Sequence, residues 1–384
     1  MGVEPTGPNP TGSNPIGPNH DQNFQPENSP AGSSPTGWAS IEGISLSERA
    51  HAVEFPTRLL TETELSASFK QALDLLGVED GNGGRLSEAP PALVNERLQA
   101  IFWKGEEDEN ALAVKGGEVD FKELFVAELN KLFEGQTVES PHDLIRTLDQ
   151  LDMFYDLGPK LQRVDIAVVL GATAPAIVHR INYLVSKINE GEFDAAEVIF
   201  SGGERKLLES DSKWIESFFS EHYKTDAPTP RTLPFIRHDG SKPEGQQLRF
   251  NEALFGKWYV DNHCENCPET WRGKDGVAQP ASPVSDPDGK ITTVSTAVAL
   301  KSLFPKNLPV DVAVVSSQPH GPRQGADMLY TLLTPSGDVP GWNIRNFDVL
   351  APASKTPKPP TVLLKELAGQ LKRECQLTGI LEQD

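Results

Sequence analysis

A chain of 384 residues is long enough for two domains, or for one domain with extensions. Its formal net charge of −20 argues against a nucleic-acid-binding protein, because neutralising phosphates requires a basic face. There is no run of about 18 apolar residues, no secretory signal pattern and only three cysteines, so we expect no membrane span and a cytoplasmic protein, with non-Sec secretion left open.

The first part of the chain divides into a tail and a helical region. Residues 1–43 are rich in Pro, Gly and Asn and contain few core-forming side chains, which predicts a disordered tail. From 44 to 158 apolar residues recur at helical spacing, as in "TETELSASFKQALDLLG", "PPALVNERLQAIFW" and "DFKELFVAELNKLFEG". We predict a helical region whose acidic residues form its solvent face and which is available to a protein partner.

Residues 159–384 alternate short apolar runs with amphipathic segments. The runs "VDIAVVLGA", "AEVIFSGG", "VDVAVVSS" and "WNIRNFDVLAP" are typical of buried parallel strands. Their alternation with helices predicts an α/β fold with a doubly wound, mostly parallel, Rossmann-like sheet. An insertion around 225–290 interrupts it, and there "PEGQQLRFNEALFGKWYVDNH" predicts a helix whose aromatic face packs into the core.

Ligands of such sheets bind at the carboxyl ends of the strands, where this chain is small and polar. The residues that follow three of the predicted strands are Gly171 and Thr173, then Ser201, Gly202, Gly203, Glu204 and Arg205, then Ser317, His320 and Arg323. Glycines let the backbone approach an anion, and arginines can hold phosphate or carboxylate with two hydrogen bonds. The pattern predicts a pocket for an anionic small molecule.

Each of these residues also has a purely structural interpretation. A Gly-Gly pair after a strand is often only a tight turn, and "LGATAP" lacks the G-x-G-x-x-G spacing of dinucleotide-binding proteins. His320 can cap its neighbours in a turn, and Arg323 can be a surface residue at a helix start. The site hypothesis depends on their occurrence together at one sheet edge.

A second cluster occurs in the insertion. The stretch "DNHCENCPETW" brings His263, Cys264 and Cys267 together, which is typical of half a zinc site or of a redox pair. A complete zinc site needs another ligand, and the remaining cysteine, Cys375, lies far along the chain.

Several motifs together resemble the YdcF/SanA/ElyC-like family of bacterial α/β proteins. The similarity covers about residues 160–355 and consists of "DIAVVLGA", a helix arginine, "VIFSGGER", "TTVSTAVAL" and "VAVVSSQPHGPRQ". The site residues that it implies are Gly171, Arg180, Ser201, Gly202, Gly203, Thr296, Ser317, His320 and Arg323. The family's Glu-Asn pair is missing from "TTVSTAVAL". S-adenosylmethionine is a ligand that the resemblance implies, whereas the family's reaction is not settled.

The sequence therefore favours a protein that binds an anionic or nucleotide-like small molecule, with hydrolase or transferase activity as an open question. His320 would act as general acid or base, Glu204 would orient a nucleophile or sugar hydroxyl, and Arg180, Arg205 and Arg323 would hold the anion. Two alternatives remain: a non-catalytic metabolite sensor, and a secreted protein-interaction factor suggested by the tail.

Overall fold

The computed structural model describes residues 45–53, 59–102, 140–223, 233–238, 248–273, 276, 278–280, 292–303, 309–354 and 358–381. The predicted disordered tail lies outside these residues, and so does the helix predicted for "DFKELFVAELNKLFEG".

The part before the sheet contains short helices and one small hairpin. Its elements are α1 (Leu46–Ala52), β1 (Leu60–Thr61), β2 (Glu64–Leu65), α2 (Ala67–Leu76), α3 (Pro91–Phe102) and α4 (Pro141–Gln150). Serines begin two of the helices, because a serine hydroxyl can accept from an amide of the first turn: Ser45 accepts from Glu48, and Ser66 accepts from Phe69. The predicted helical period is realised from Ala67 and from Pro91 onward, whereas the first residues of "TETELSASFKQALDLLG" form the β1–β2 hairpin instead of a helix.

Strands and helices alternate in the rest of the chain. In order they are β3 (Arg163–Leu170), α5 (Ala174–Asn189), β4 (Asp194–Ser201), β5 (Glu204–Lys206), α6 (Glu209–Tyr223), β6 (Ile236–His238), β7 (Leu248–Asn251), α7 (Glu252–Asn262), β8 (Ala278–Pro280), α8 (Thr293–Leu303), β9 (Val310–Val315), α9 (Gly321–Leu333), β10 (Ile344–Leu350) and α10 (Pro360–Leu377).

Five of these strands form one parallel sheet in the order β10-β9-β3-β4-β8. The chain builds outward from β3 through β4 to β8, then returns to place β9 on the other side of β3. The strand order therefore reverses between β3 and β9, which is where α/β sheets of this kind bind ligands. The predicted Rossmann-like, doubly wound α/β fold is confirmed.

Helices cover both faces of the sheet, since alternate residues of a strand point to opposite sides. Ala167 and Val169 of β3 pack with α5, α6 and α7, whereas Ile166, Val168 and Leu170 pack with α1, α8 and α9. A strand buried on both faces must be almost continuously apolar, as β3 is. None of the described helices is both long and apolar enough to cross a membrane.

The insertion differs from its prediction. Its segment "PEGQQLRFNEALFGKWYVDNH" is not one helix: β7 pairs antiparallel with β5 and β6, and α7 begins only after Asn251. The side-chain oxygen of Asn251 accepts from the amide of Leu254, which satisfies a first-turn donor and starts the helix there. The expected aromatic packing is present, because Phe250, Phe255 and Tyr259 lie in the core.

The helical segment and the end of the chain share one hydrophobic core. Side chains of α2, α3 and α4 pack with the apolar face of α10, including Leu363, Leu367 and Leu371. Glu374 of α10 also accepts hydrogen bonds from the backbone amides of Leu59 and Leu60 at the hairpin, both at 3.1 Å. The last long helix thus joins the helical segment to the strand-bearing part.

A fully buried lysine lies on α8. The ammonium of Lys301 donates to the carbonyl of Thr334 at 2.6 Å and to the hydroxyl of Ser336 at 2.8 Å, both neutral acceptors. Burial, together with the positive charge of Arg49 on α1, lowers the pKa of Lys301 from 10.5 to about 8. The folded protein therefore holds this proton less tightly than the unfolded chain does.

This difference in pKa predicts a pH dependence of stability. The ammonium penalises folding in full below pH 8, and the penalty is relieved as the pH rises from about 8 to 10.5, because only the unfolded chain stays protonated there. Relative to Lys301→Met, which cannot titrate, the wild type should gain on the order of 1–3 kcal/mol over this window. Urea unfolding of both proteins across the window tests this, and parallel curves would contradict it.

Candidate functional site

The carboxyl ends of β3, β4 and β9 lie side by side at one edge of the sheet. The first residues beyond them include Gly171, Ser317 and the Gly202–Gly203 pair, which the parallel register brings to the same level. The amide of Gly171 donates to the carbonyl of Ser201 at 2.5 Å, so β3 and β4 stay paired to their last residue. Helices α5 and α9 both begin at this edge, which directs their positive dipole ends toward it.

Arg180 occupies the point at which the strand order reverses. It extends from α5, where its Nη1 donates to the carbonyls of Leu170 and Gly171 at 2.7 and 2.9 Å, and its Nε donates to the hydroxyl of Ser317 at 2.8 Å. One guanidinium therefore ties the end of β3 to the turn after β9. The residue is only 2% exposed, and burial lowers the pKa of Arg180 to about 10, although the charge of Glu252 acts in the opposite direction.

The glycines of this edge are packed around a carboxylate of the protein. A Cβ at Gly171 would lie 2.2 Å from Oε2 of Glu252, and one at Gly202 would lie 2.6 Å from the Cβ of Glu252. The same Oε2 accepts from the amide of Gly203 at 3.1 Å. The space that the sequence assigned to a ligand anion beside these glycines thus holds the Glu252 carboxylate, whose pKa is raised by burial and lowered in part by Arg205.

Arg205 belongs to the same cluster and is bonded to two carboxylates. Its Nε donates to Glu252 at 2.8 Å, and its Nη1 and Nη2 donate to Asp211 at 2.7 and 3.2 Å. Asp211 is completely buried and also accepts from the amide of Ala174, the first residue of α5. Burial alone would lower the pKa of Arg205, but the hydrogen bond and charge of Asp211 and the charge of Glu252 raise it.

His320 and Arg323, at the start of α9, both contact a different carboxylate, that of Glu366 on α10. Nδ1 of His320 lies 3.0 Å from Oε1 of Glu366 on α10, and Nε of Arg323 donates to Oε2 of the same residue at 2.6 Å. Arg323 also donates to Asp327 at 2.7 Å. Burial would raise the pKa of Glu366, but the charges of Arg323 and His320 outweigh it and hold this pKa at about 2.

The other predicted residues make no hydrogen bond to the arginine and carboxylate clusters described above. Thr173 is the N-cap of α5 but accepts no capping hydrogen bond, and the buried hydroxyl of Thr296 donates to a carbonyl of its own helix. The Ser201 hydroxyl is buried and makes no hydrogen bond among the described residues. Glu204 lies on β5, paired with Asn251, and its carboxylate likewise has no hydrogen bond to a described side chain or amide.

No family model, no curated protein and no solved structure matches the chain.

The cysteine cluster lies in a turn that follows α7 and is closed by a disulfide. Cys264 and Cys267 are both buried and are joined by a disulfide, which is the paired form of the predicted redox motif. The ring of His263 packs against Phe218 and Trp258, with centroid distances of 4.7 and 4.5 Å. Among the described residues, no group of three or more His, Cys, Asp or Glu side chains could hold a metal ion.

The sequence interpretation missed three residues that bond to the predicted candidates: Glu252, Asp211 and Glu366. All three are carboxylates near the start of a helix or on its buried face, where an apolar residue is expected. Glu252, for example, shares the buried face of α7 with Phe255 and Tyr259, three and seven residues further on. A charged residue at an apolar position of a helical repeat is the signal that could have found them.

Proposed function

We propose that this chain binds an anionic or nucleotide-like small molecule at the edge where β3 and β9 separate. The observation that carries the proposal is that the buried guanidinium of Arg180 has no bonded carboxylate among the described residues. It is buried, and within the described part of the chain it contacts only carbonyl and hydroxyl oxygens, whereas Arg205 and Arg323 each contact carboxylates. The charge of Glu252 acts on Arg180, but the carboxylate makes no hydrogen bond to it, so an anionic ligand would give the guanidinium a directly bonded charged partner.

The position of Arg180 supports a ligand rather than a purely structural role. Its Nη2 makes no hydrogen bond to the described residues, while Nε and Nη1 are held by Ser317 and the end of β3. A guanidinium fixed through two nitrogens offers the third with little further loss of side-chain freedom. The adjoining helix starts of α5 and α9 favour the same sign of charge.

The ligand class follows from this arrangement and from the resemblance to the YdcF/SanA/ElyC-like family. A phosphate or a carboxylate fits the geometry of a guanidinium, and S-adenosylmethionine carries a carboxylate on a nucleoside. The resemblance also expects a Glu-Asn pair, which is absent from α8; the acidic side chain at this edge is Glu252 of α7, while Asn251, at the end of β7, caps that helix.

Calorimetric titration of the full chain with S-adenosylmethionine, adenine nucleotides and inorganic phosphate tests the proposal. Arg180→Lys keeps the charge but loses the fixed donors, so we expect it to weaken binding by about 1–3 kcal/mol, the scale of a charge-assisted hydrogen bond. Arg345→Lys is the matched control, because Arg345 is exposed and pairs with Asp311 at the opposite edge. Equal affinities of the two folded variants, or no binding by the wild type, would contradict the site.

A metabolite sensor is the second candidate, and one observation favours it. Helix α10 contributes Glu366 to the site and also packs against α3 of the helical segment. Occupation of the site could therefore be transmitted to a surface that binds a protein partner. Saturable binding without turnover of any bound compound would favour this function over a hydrolase or transferase.

A further inference from the structure

His320 is held at the edge of the sheet with one ring nitrogen inward. It is the N-cap residue of α9, and its amide donates to the carbonyl of Ser317 at 2.9 Å. Nδ1 faces Oε1 of Glu366 at 3.0 Å, while 21% of the side chain remains exposed. Within the described ranges, Nε2 makes no hydrogen bond. The imidazole thus has one nitrogen fixed by the protein and the other open to a ligand or water.

Glu366 is a suitable partner for an Nδ1–H group because it is buried and remains charged. It is about 5% exposed, and its second oxygen accepts from Nε of Arg323. Arg323 is held in turn by Asp327, which also accepts from Nε of Arg373 at 2.7 Å. This series of alternating charges fixes the carboxylate on two sides, so it cannot turn away from His320 without breaking its bond to Arg323.

A carboxylate can only accept a hydrogen bond, so a neutral His320 must carry its proton on Nδ1 to satisfy Glu366. The lone pair then lies on Nε2, the ring nitrogen that makes no hydrogen bond to a described residue. Histidines that act as bases are oriented in the same way by a buried carboxylate. Among the described contacts, neither Glu204 nor Glu252 has a carboxylate oxygen within hydrogen-bond distance of an imidazole nitrogen.

We propose that His320 is a proton-accepting base and that Glu366 is its positioning residue. The O–H bond of a water molecule or ligand hydroxyl breaks, the proton goes to Nε2, and the electron pair stays on the oxygen, which becomes the nucleophile. The proposal rests on the proposed function for its substrate, an anionic compound held by Arg180. Ser317 connects the two, since its hydroxyl accepts from Arg180 and its carbonyl accepts from the His320 amide.

The tautomer of His320 can be measured without any ligand, which separates this proposal from the binding site itself. In long-range proton–nitrogen spectra of the ¹⁵N-labelled full chain, recorded above the range in which imidazoles titrate, Nδ1 should have the shift of a protonated nitrogen and Nε2 that of an unprotonated one. His320→Gln assigns the signals. A protonated Nε2 in the wild type would overturn the proposal, even if ligands bind at Arg180.

Glu366→Gln tests the positioning residue, because the amide can donate as well as accept and no longer selects one tautomer. We expect the Nε2 signal to move toward a mixture of tautomers, and carbethoxylation of His320, measured by peptide mass spectrometry, to slow several-fold. Glu374→Gln is the matched control, since Glu374 is a buried carboxylate on the same helix that accepts hydrogen bonds from the amides of Leu59 and Leu60 and from the side chain of Gln370. Unchanged tautomer and reactivity in a folded Glu366→Gln protein would also overturn it.

Discussion

Replacing Arg205 with methionine is expected to lower the free energy of unfolding by about 3–5 kcal/mol, the usual effect of removing one partner from a buried ion pair. The guanidinium bonds to both Asp211 and Glu252, and neither carboxylate has appreciable exposure. Without it, two buried negative charges would remain with fewer donors. The carbonyl of Ala172, which accepts from Nη2 at 3.0 Å, would lose a partner as well.

Urea denaturation measures this effect, and Arg345→Met is the control for loss of an arginine. Arg345 is 54% exposed and pairs with Asp311 and Asp165 at the surface, where ion pairs contribute about 0–1 kcal/mol. The Arg205 variant should therefore lose several times more stability than the Arg345 variant. Similar losses in the two would show that the Arg205 cluster is not a buried network.

Replacing Gly171 with alanine should have the second-largest effect on stability. The added Cβ would lie 2.2 Å from Oε2 of Glu252 and 2.9 Å from the Cα of Gly202, so the carboxylate and the β4 turn cannot both keep their places. Overpacking of this kind costs about 1–3 kcal/mol. Glu252 would be pushed away from the Gly203 amide at the same time, which removes one hydrogen bond of the cluster.

Gly158→Ala separates this clash from the general effect of a glycine replacement. Gly158 has no atom within 4 Å of an added Cβ and no left-handed backbone conformation. Its replacement should change the free energy of unfolding by less than about 1 kcal/mol, as expected when alanine fits the native backbone. If Gly171→Ala behaves like Gly158→Ala, Glu252 does not fill the space between the glycines.

The sheet, and the grouping of polar residues at the carboxyl ends of its strands, could be predicted because the signals are local. Strands such as β3 and β9 are apolar runs that end abruptly, at Gly171 and at Ser316, and the alternation with helices implies parallel pairing. Parallel pairing then places the ends of the strands together without any knowledge of tertiary contacts. The joint position of Arg180 and Ser317 followed from these facts and from the resemblance, and the two residues do touch.

The partners of the predicted residues could not be derived in the same way. Arg205 and Glu252 are 47 residues apart, with a segment between them whose antiparallel strands carry only a weak pattern, and Arg323 and Glu366 are 43 residues apart. A side chain selects its partner from whatever packing brings near, and spacing along the chain does not encode that choice. For this reason the arginines could be identified as functional candidates while their carboxylates were missed.

Helix α10 also determines when the site can first exist. It follows every strand of the parallel sheet in the chain, yet it supplies Glu366, the carboxylate that His320 and Arg323 share. A ribosome makes the chain from its amino end, so all five strands can leave the exit tunnel before this residue does. Until α10 docks, His320 therefore lacks the carboxylate that orients its ring, so the proton-accepting role proposed for this residue depends on a helix that is made after every strand of the sheet.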